Sequence, residues 1–380
     1  PSASMTVREA LDNLRELEAE WLDELQRCTQ SGGAIVGYFC LYTPPELLSA
    51  VGAIPIRLAL CGTHEAESAG ERHMRPDTCA FCKAAIGGRD EIDPWARVVT
   101  HIAQPSTCDE MRRASGVWES DHGIPHLAFA FPRTWEGDAP LQLLTSELRW
   151  VAGELSRITG RPLTDDNLAQ EIRVWNEVRS ALARVHEARR QGGIVGRDML
   201  ELVSYTFTLP PDRVLPVLRE LADGAKEDPE PTPRPRIMLM GSALARGDYR
   251  VLDMIEDAGA RVATDTVCTG TRWFADRIAE QGDPFDALCR MYLRRAFCAF
   301  RRPNTPFIDD AKAEVGRSRI DGIVYKTLQF CDSWGHEVER VRKQLDLPLL
   351  HIQSNYSPSD IAQLRTRIQA FVEVLGNHRG

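Results

Sequence analysis

Short apolar runs alternate with helix-like segments twice along this chain, and the alternation is interrupted only once. The first series is Ile35–Cys40, Ile54–Leu60, Val98–Ala103 and His126–Phe131. The second is Arg236–Ser242, Arg261–Thr266, Gly322–Leu328 and Leu347–Gln353. Strands separated by helices require a mostly parallel sheet with helices on its faces. Between the series, from about Pro140 to Ala225, the pattern is helical. Leu168, Ile172, Trp175, Val178, Leu182 and Val185 recur close to the 3.6-residue period. A charged, proline-rich run, Glu227-Asp-Pro-Glu-Pro-Thr-Pro-Arg-Pro235, then separates the halves as a linker would. The expected fold class is α/β, with two parallel-sheet domains and a helical layer between them. The boundaries fall at 1–160 (with a leading amphipathic helix), 161–232 and 233–380.

Sheets of this kind place their sites beyond the carboxyl ends of the strands, and cysteines stand at those ends. Cys331 closes Asp321-Gly-Ile-Val-Tyr-Lys-Thr-Leu-Gln-Phe-Cys331, Cys40 follows the first strand, and Cys61 follows the second. Cys79 and Cys108 begin helices, in Thr78-Cys-Ala-Phe-Cys-Lys83 and Ser106-Thr-Cys-Asp-Glu-Met111. A thiolate at a helix start is favoured by the dipole and free amides, and it binds metals. Ten cysteines without a secretory leader fit metal binding better than a disulfide framework. Cys28 and Cys289, inside helix-like segments, read as buried free thiols. Cys79 and Cys82 alone would suit zinc, redox or iron–sulphur chemistry, but no second Cys-x-x-Cys completes a local zinc site. Scattered single cysteines fit one inorganic centre held between domains.

Glu46, in the first turn after Thr43-Pro-Pro, is either a dipole-stabilising acid or an acid/base at the cleft. Lys83, Arg272 and His351 read as surface charges that could touch an anionic ligand. Gly241-Ser242 is a tight turn, too short for a dinucleotide fingerprint, and no Walker A motif is present. A net charge of −9 argues against nucleic-acid binding. The lack of a long apolar run or leader points to a soluble, cytoplasmic protein with no membrane partner.

Several segments, in order, resemble the 2-hydroxyacyl-CoA dehydratase/benzoyl-CoA reductase family. They are Tyr38-Phe-Cys-Leu-Tyr-Thr-Pro-Pro-Glu-Leu-Leu48, Gly52-Ala-Ile-Pro-Ile-Arg57, Cys79-Ala-Phe-Cys-Lys83 and Thr107-Cys108-Asp109. Cys268-Thr-Gly-Thr-Arg272, Phe330-Cys331-Asp332 and Gln363-Leu-Arg-Thr-Arg367 continue the match. The resemblance implies flavodoxin-like domains and an oxygen-sensitive [4Fe-4S] cluster on Cys79, Cys108 and Cys331. It implies an acyl-CoA substrate, a homologous subunit or second copy as partner, and an ATP-hydrolysing iron–sulphur activator that delivers single electrons for ketyl-radical chemistry. One branch of the family carries a double cubane, [8Fe-9S], on six cysteines, and Cys40, Cys268 and Cys298 could hold its second half, with Cys61 and Cys82 as further candidates. An enzyme of the dehydratase or reductase type is the leading expectation. A double-cubane reductase of small molecules and a two-domain binding protein with a structural metal are the alternatives.

Overall fold

The computed structural model describes residues 5–90, 92–224, 234–295 and 297–377. Most of the proline-rich linker lies outside them. Four strands, β1 (Ile35–Tyr38), β2 (Ile54–Arg57), β3 (His101–Ser106) and β4 (His126–Ala130), form one parallel sheet in the order β2-β1-β3-β4. Four more, β5 (Arg236–Gly241), β6 (Arg261–Asp265), β7 (Gly322–Leu328) and β8 (Leu349–Ser354), form a second in the order β6-β5-β7-β8. The two orders are the same, 2-1-3-4, which is the flavodoxin-like arrangement with one strand fewer. Every pairing is parallel.

The second sheet shows why its strands read as unbroken apolar runs. Ile237 and Leu239 of β5 pack into one core with Val324 of β7, while Met238 and Met240 pack with Ile323 and Tyr325 on the opposite face. Both faces are covered, so neither phase of the two-residue period can be polar.

One local expectation is corrected. The third strand begins at His101 rather than Val98, because Pro94–Val98 is a short helix capped by Asp93, whose side chain accepts from the Trp95 amide at 3.0 Å. An Asp-Pro start outweighs the β-branched residues that follow it. In the polar stretch from Gly62 to Arg75, residues His64–Gly70 form a helix capped by Thr63.

The leading helix, Val7–Gln30, starts with a reciprocal capping box between Thr6 and Glu9. Helix Ala139–Thr159 ends at Gly160, whose φ of 73° completes the left-handed cap. The long helix Asp165–Arg190 bridges the halves. Toward the first sheet, Arg179 pairs with Glu46; toward the second, Arg189 Nη1 meets Asp265 at 2.6 Å with both side chains fully buried. The halves also join directly. Gly62 N donates to Arg246 O at 2.8 Å, Arg246 N to Ala59 O at 2.9 Å, and Tyr356 N to Glu67 Oε2 at 2.9 Å. Among the described residues no helix is long and apolar enough to cross a membrane.

Candidate metal centre

The carboxyl ends of the two sheets face one cavity of about 260 Å³. Seven cysteines line it: Cys40, Cys79, Cys82, Cys108, Cys268, Cys298 and Cys331. Cys40 and Cys108 stand just past β1 and β3, the central neighbours of the first sheet. Cys268 and Cys331 stand just past β6 and β7 of the second. Cys79, Cys108 and Cys331 are the residues that precede helices Ala80–Gly87, Asp109–His122 and Asp332–Gly335. Strand order therefore gathers thiols that lie as much as 291 positions apart, the difference between 40 and 331.

The thiols fall into two sets. Cys79 hydrogen-bonds both Cys82 and Cys331 through sulfur. Cys40 lies within electrostatic reach of Cys268 and Cys298, and Cys108 within reach of Cys331 on one side and of Cys40 and Cys298 on the other. All ten cysteines are free thiols. Among the described residues no three of them bring their sulfurs within 4.8 Å of one another. One tetrahedral zinc holds thiolates about 3.8 Å apart, given Zn–S bonds of about 2.3 Å. A wide, thiol-rich, largely apolar cavity fits a polynuclear iron–sulphur group better than a single ion.

Burial dominates the acidities of Cys40, Cys108 and Cys298. It pushes the Cys40 and Cys108 thiols up to about 12 each. Cys331 is raised by its bond from Cys79 and by burial. The dipole at a helix start, expected to favour thiolates here, is outweighed by desolvation. Two guanidinium groups bond the second set. Arg57 donates from Nη1 to the Cys268 carbonyl at 2.8 Å, from Nη2 to Cys268 Sγ at 3.4 Å, and from Nε to the Phe39 carbonyl at 3.2 Å. Arg272 bonds the Cys298 thiol and lies 5.4 Å over the Trp334 ring. Thr107 Oγ1 donates to Cys40 Sγ at 3.7 Å.

The turn that presents Cys331 is strained. Phe330 has φ = 64°, a left-handed conformation that costs a residue with a side chain roughly 1 kcal/mol or more. Ser242, after the left-handed Gly241, accepts from the Leu328 amide at 3.1 Å and bonds the Cys331 thiol. The Gly-Ser turn thus positions a cysteine.

All six cysteines named as metal ligands come together, and Cys82 joins them. Cys61 does not: it bonds Asp93 instead. Cys289 is buried as expected, whereas Cys28 is only half-buried. Glu46 is absent from the cavity wall. Fully buried, it takes Arg179 on one oxygen and the Tyr292 hydroxyl on the other at 2.9 Å, because the first turn of helix Pro45–Ala50 faces the bridging helix. The oxygen acids that do line the cavity are Tyr42, Asp109, Glu110 and Asp332. Lys83 is buried between Glu67 at 3.2 Å and Glu71 at 2.9 Å, and Arg272 is buried on the cavity wall, so neither is a surface charge. His351 is half-buried against Thr327 at 2.9 Å. Sequence reasoning gave Arg57 no role, although it is a charge at the end of an apolar strand and closes the motif Gly52-Ala-Ile-Pro-Ile-Arg57.

The profile of the 2-hydroxyglutaryl-CoA dehydratase D-component family matches residues 40–375. The Escherichia coli K12 protein YjiM, named as a dehydratase subunit, is 27% identical over 91% of this chain and 92% of its own. A benzoyl-CoA reductase subunit of Thauera aromatica is 23% identical over 78% of each chain. The (R)-phenyllactyl-CoA dehydratase beta subunit of Clostridium sporogenes is 20% identical over 92% of this chain and 94% of its own.

Proposed function

Because this chain belongs to the 2-hydroxyglutaryl-CoA dehydratase D-component family, we propose that it is an iron–sulphur enzyme subunit holding a double cubane of the [8Fe-9S] type. Cys79, Cys108 and Cys331 would hold one half, and Cys40, Cys268 and Cys298 the other. The observation that carries this reading is the convergence of two thiol triads on one cavity, with Cys108 between them. Such a group supplies single electrons at low potential to a small molecule.

The chain's own residues have defined parts. Phe39, Phe81, Phe300 and Trp334 wall the cavity and exclude water. Arg57 and Arg272 offset negative charge beside Cys268 and Cys298, where burial would otherwise disfavour it. Ser242 and the Phe330 turn hold Cys331 in place. The cavity mouth carries Asp109, Glu110, Arg113 and Asp332, so a substrate enters past charged side chains. An ATP-hydrolysing iron–sulphur activator is the proposed electron source, and a homologous subunit or second copy the proposed structural partner, since the similar proteins are themselves named as subunits.

The names of those relatives favour a second reading. A single [4Fe-4S] cluster on Cys79, Cys108 and Cys331 would leave the space beside Cys40, Cys268 and Cys298 to an acyl-CoA thioester, for dehydration or aryl reduction. Anaerobic iron analysis separates the two: about eight irons per chain support the double cubane and about four support the acyl-CoA enzyme. A chain that takes up stoichiometric zinc and no iron contradicts both.

A further inference from the structure

Away from the cysteine cavity, one other group of ligating side chains is drawn together. His73, Asp90 and His122 bring ligand atoms within 4.8 Å of one another. They come from three places: the turn after helix His64–Gly70, the turn after helix Ala80–Gly87, and the last residue of helix Asp109–His122.

The surroundings resemble the outer sphere of a metal site. His73 Nδ1 lies 2.8 Å from an oxygen of Asp121, while its Nε2 lies 2.8 Å from Asp90 Oδ2. Asp121 on Nδ1 fixes the ring as an outer carboxylate does, and Nε2, which faces Asp90, is the nitrogen an ion would take. His122 Nε2 is buried and has no hydrogen-bond partner among the described residues. Its ring is held 4.8 Å from that of His73 and 5.7 Å from that of Trp118.

We propose that His73, Asp90 and His122 form a mononuclear site for zinc or a similar divalent transition ion, with Asp121 as the outer carboxylate of His73. Two imidazoles and one carboxylate suit zinc, nickel or copper, and do not suit magnesium or calcium, which take oxygen ligands. Coordination replaces the proton that His73 Nε2 shares with Asp90, so one proton leaves as the ion binds. Arg72, 2.8 Å from Asp90 Oδ2, is the competing cation that the ion must displace or share with.

The position gives the site a purpose. Helices Ala80–Gly87 and Asp109–His122 begin at Cys79 and Cys108. An ion at their far ends, about 20 Å from Cys108 along the longer helix, would fix the angle at which both thiols enter the cavity. The site stands on its own residues and holds whichever cluster the cavity takes.

Cobalt titration of the full, iron-loaded chain bearing a histidine-free tag tests it. We expect one cobalt per chain with d–d bands and no thiolate-to-cobalt charge transfer, displaced by one equivalent of zinc. Affinity falls roughly 10–100-fold in Asp121→Asn, an exposed outer-sphere change, and binding is lost in His122→Ala. If His122→Ala misfolds by circular dichroism, the wild-type spectrum and Asp121→Asn carry the test. No cobalt uptake by the wild type, a thiolate charge-transfer band, or equal affinity in Asp121→Asn overturns the proposal.

Discussion

Cys79 and Cys331 share a sulfur–sulfur hydrogen bond across the boundary between the two halves, and the Ala80 amide donates to the Gln329 carbonyl beside it at 3.4 Å. The first cysteine opens a helix of the N-terminal half and the second closes a strand of the C-terminal half. Each half alone would hold an incomplete ligand set. Cys331→Ala and Cys79→Ala are each expected to cut bound iron by about half while leaving the far-ultraviolet circular dichroism unchanged. Full iron retention in both variants would remove these thiols from the ligand set.

Arg272 should tune the metal group's potential without holding it. Replacing it with leucine removes a charge-assisted bond to Cys298 worth about 1.4 kcal/mol, or about 60 mV for one electron. The potential is expected to move negative by that order in a dye-mediated redox titration, with iron content preserved. An unchanged potential would show that the guanidinium does not sense the group's charge.

Glu46 is a brace between the first sheet's helix and the bridging helix. Glu46→Gln leaves the Arg179 guanidinium buried without its counter-charge, at a cost of about 3–5 kcal/mol. The denaturation midpoint is expected to fall, while turnover per bound cluster stays at the wild-type level. A large loss of turnover in a variant of unchanged stability would restore Glu46 as the acid/base.

The cavity thiols carry a pH signature in the cluster-free chain. With Cys40 and Cys108 pushed up to about 12 by burial, the thiolate fraction at pH 8 is only about one in ten thousand. Alkylation there should be far slower than that of glutathione and rise about tenfold per pH unit toward pH 12. Mass spectrometry of iodoacetamide-treated peptides measures this directly. Rapid labelling of either residue at pH 8 would mean that an activating cation lies closer than the geometry gives.

The strand–helix alternation made both sheets legible, because strands buried on two faces leave continuous apolar runs. Cys40, Cys108, Cys268 and Cys331 were legible for a related reason: a residue just past a parallel strand lies at the sheet's carboxyl edge. What failed was whatever depended on side-chain direction. Glu46 sits on the expected element and points to the other side of it. Lys83 and Arg272 look like surface charges because a sequence does not show that Glu67 and Glu71, or Cys298, wait beside them in the fold. Val98 reads as the start of a strand by its β-branched neighbours, although Asp93-Pro94 is a helix start. The His73–Asp90–His122 group leaves no spacing pattern, since two turns and a helix end bring it together.

The double-triad reading stands or falls on metal stoichiometry. Anaerobically purified and reconstituted protein should carry about eight irons per chain with a matching content of acid-labile sulfide. Either four irons, unaffected by replacing Cys40, Cys268 or Cys298, or zinc without iron would contradict it.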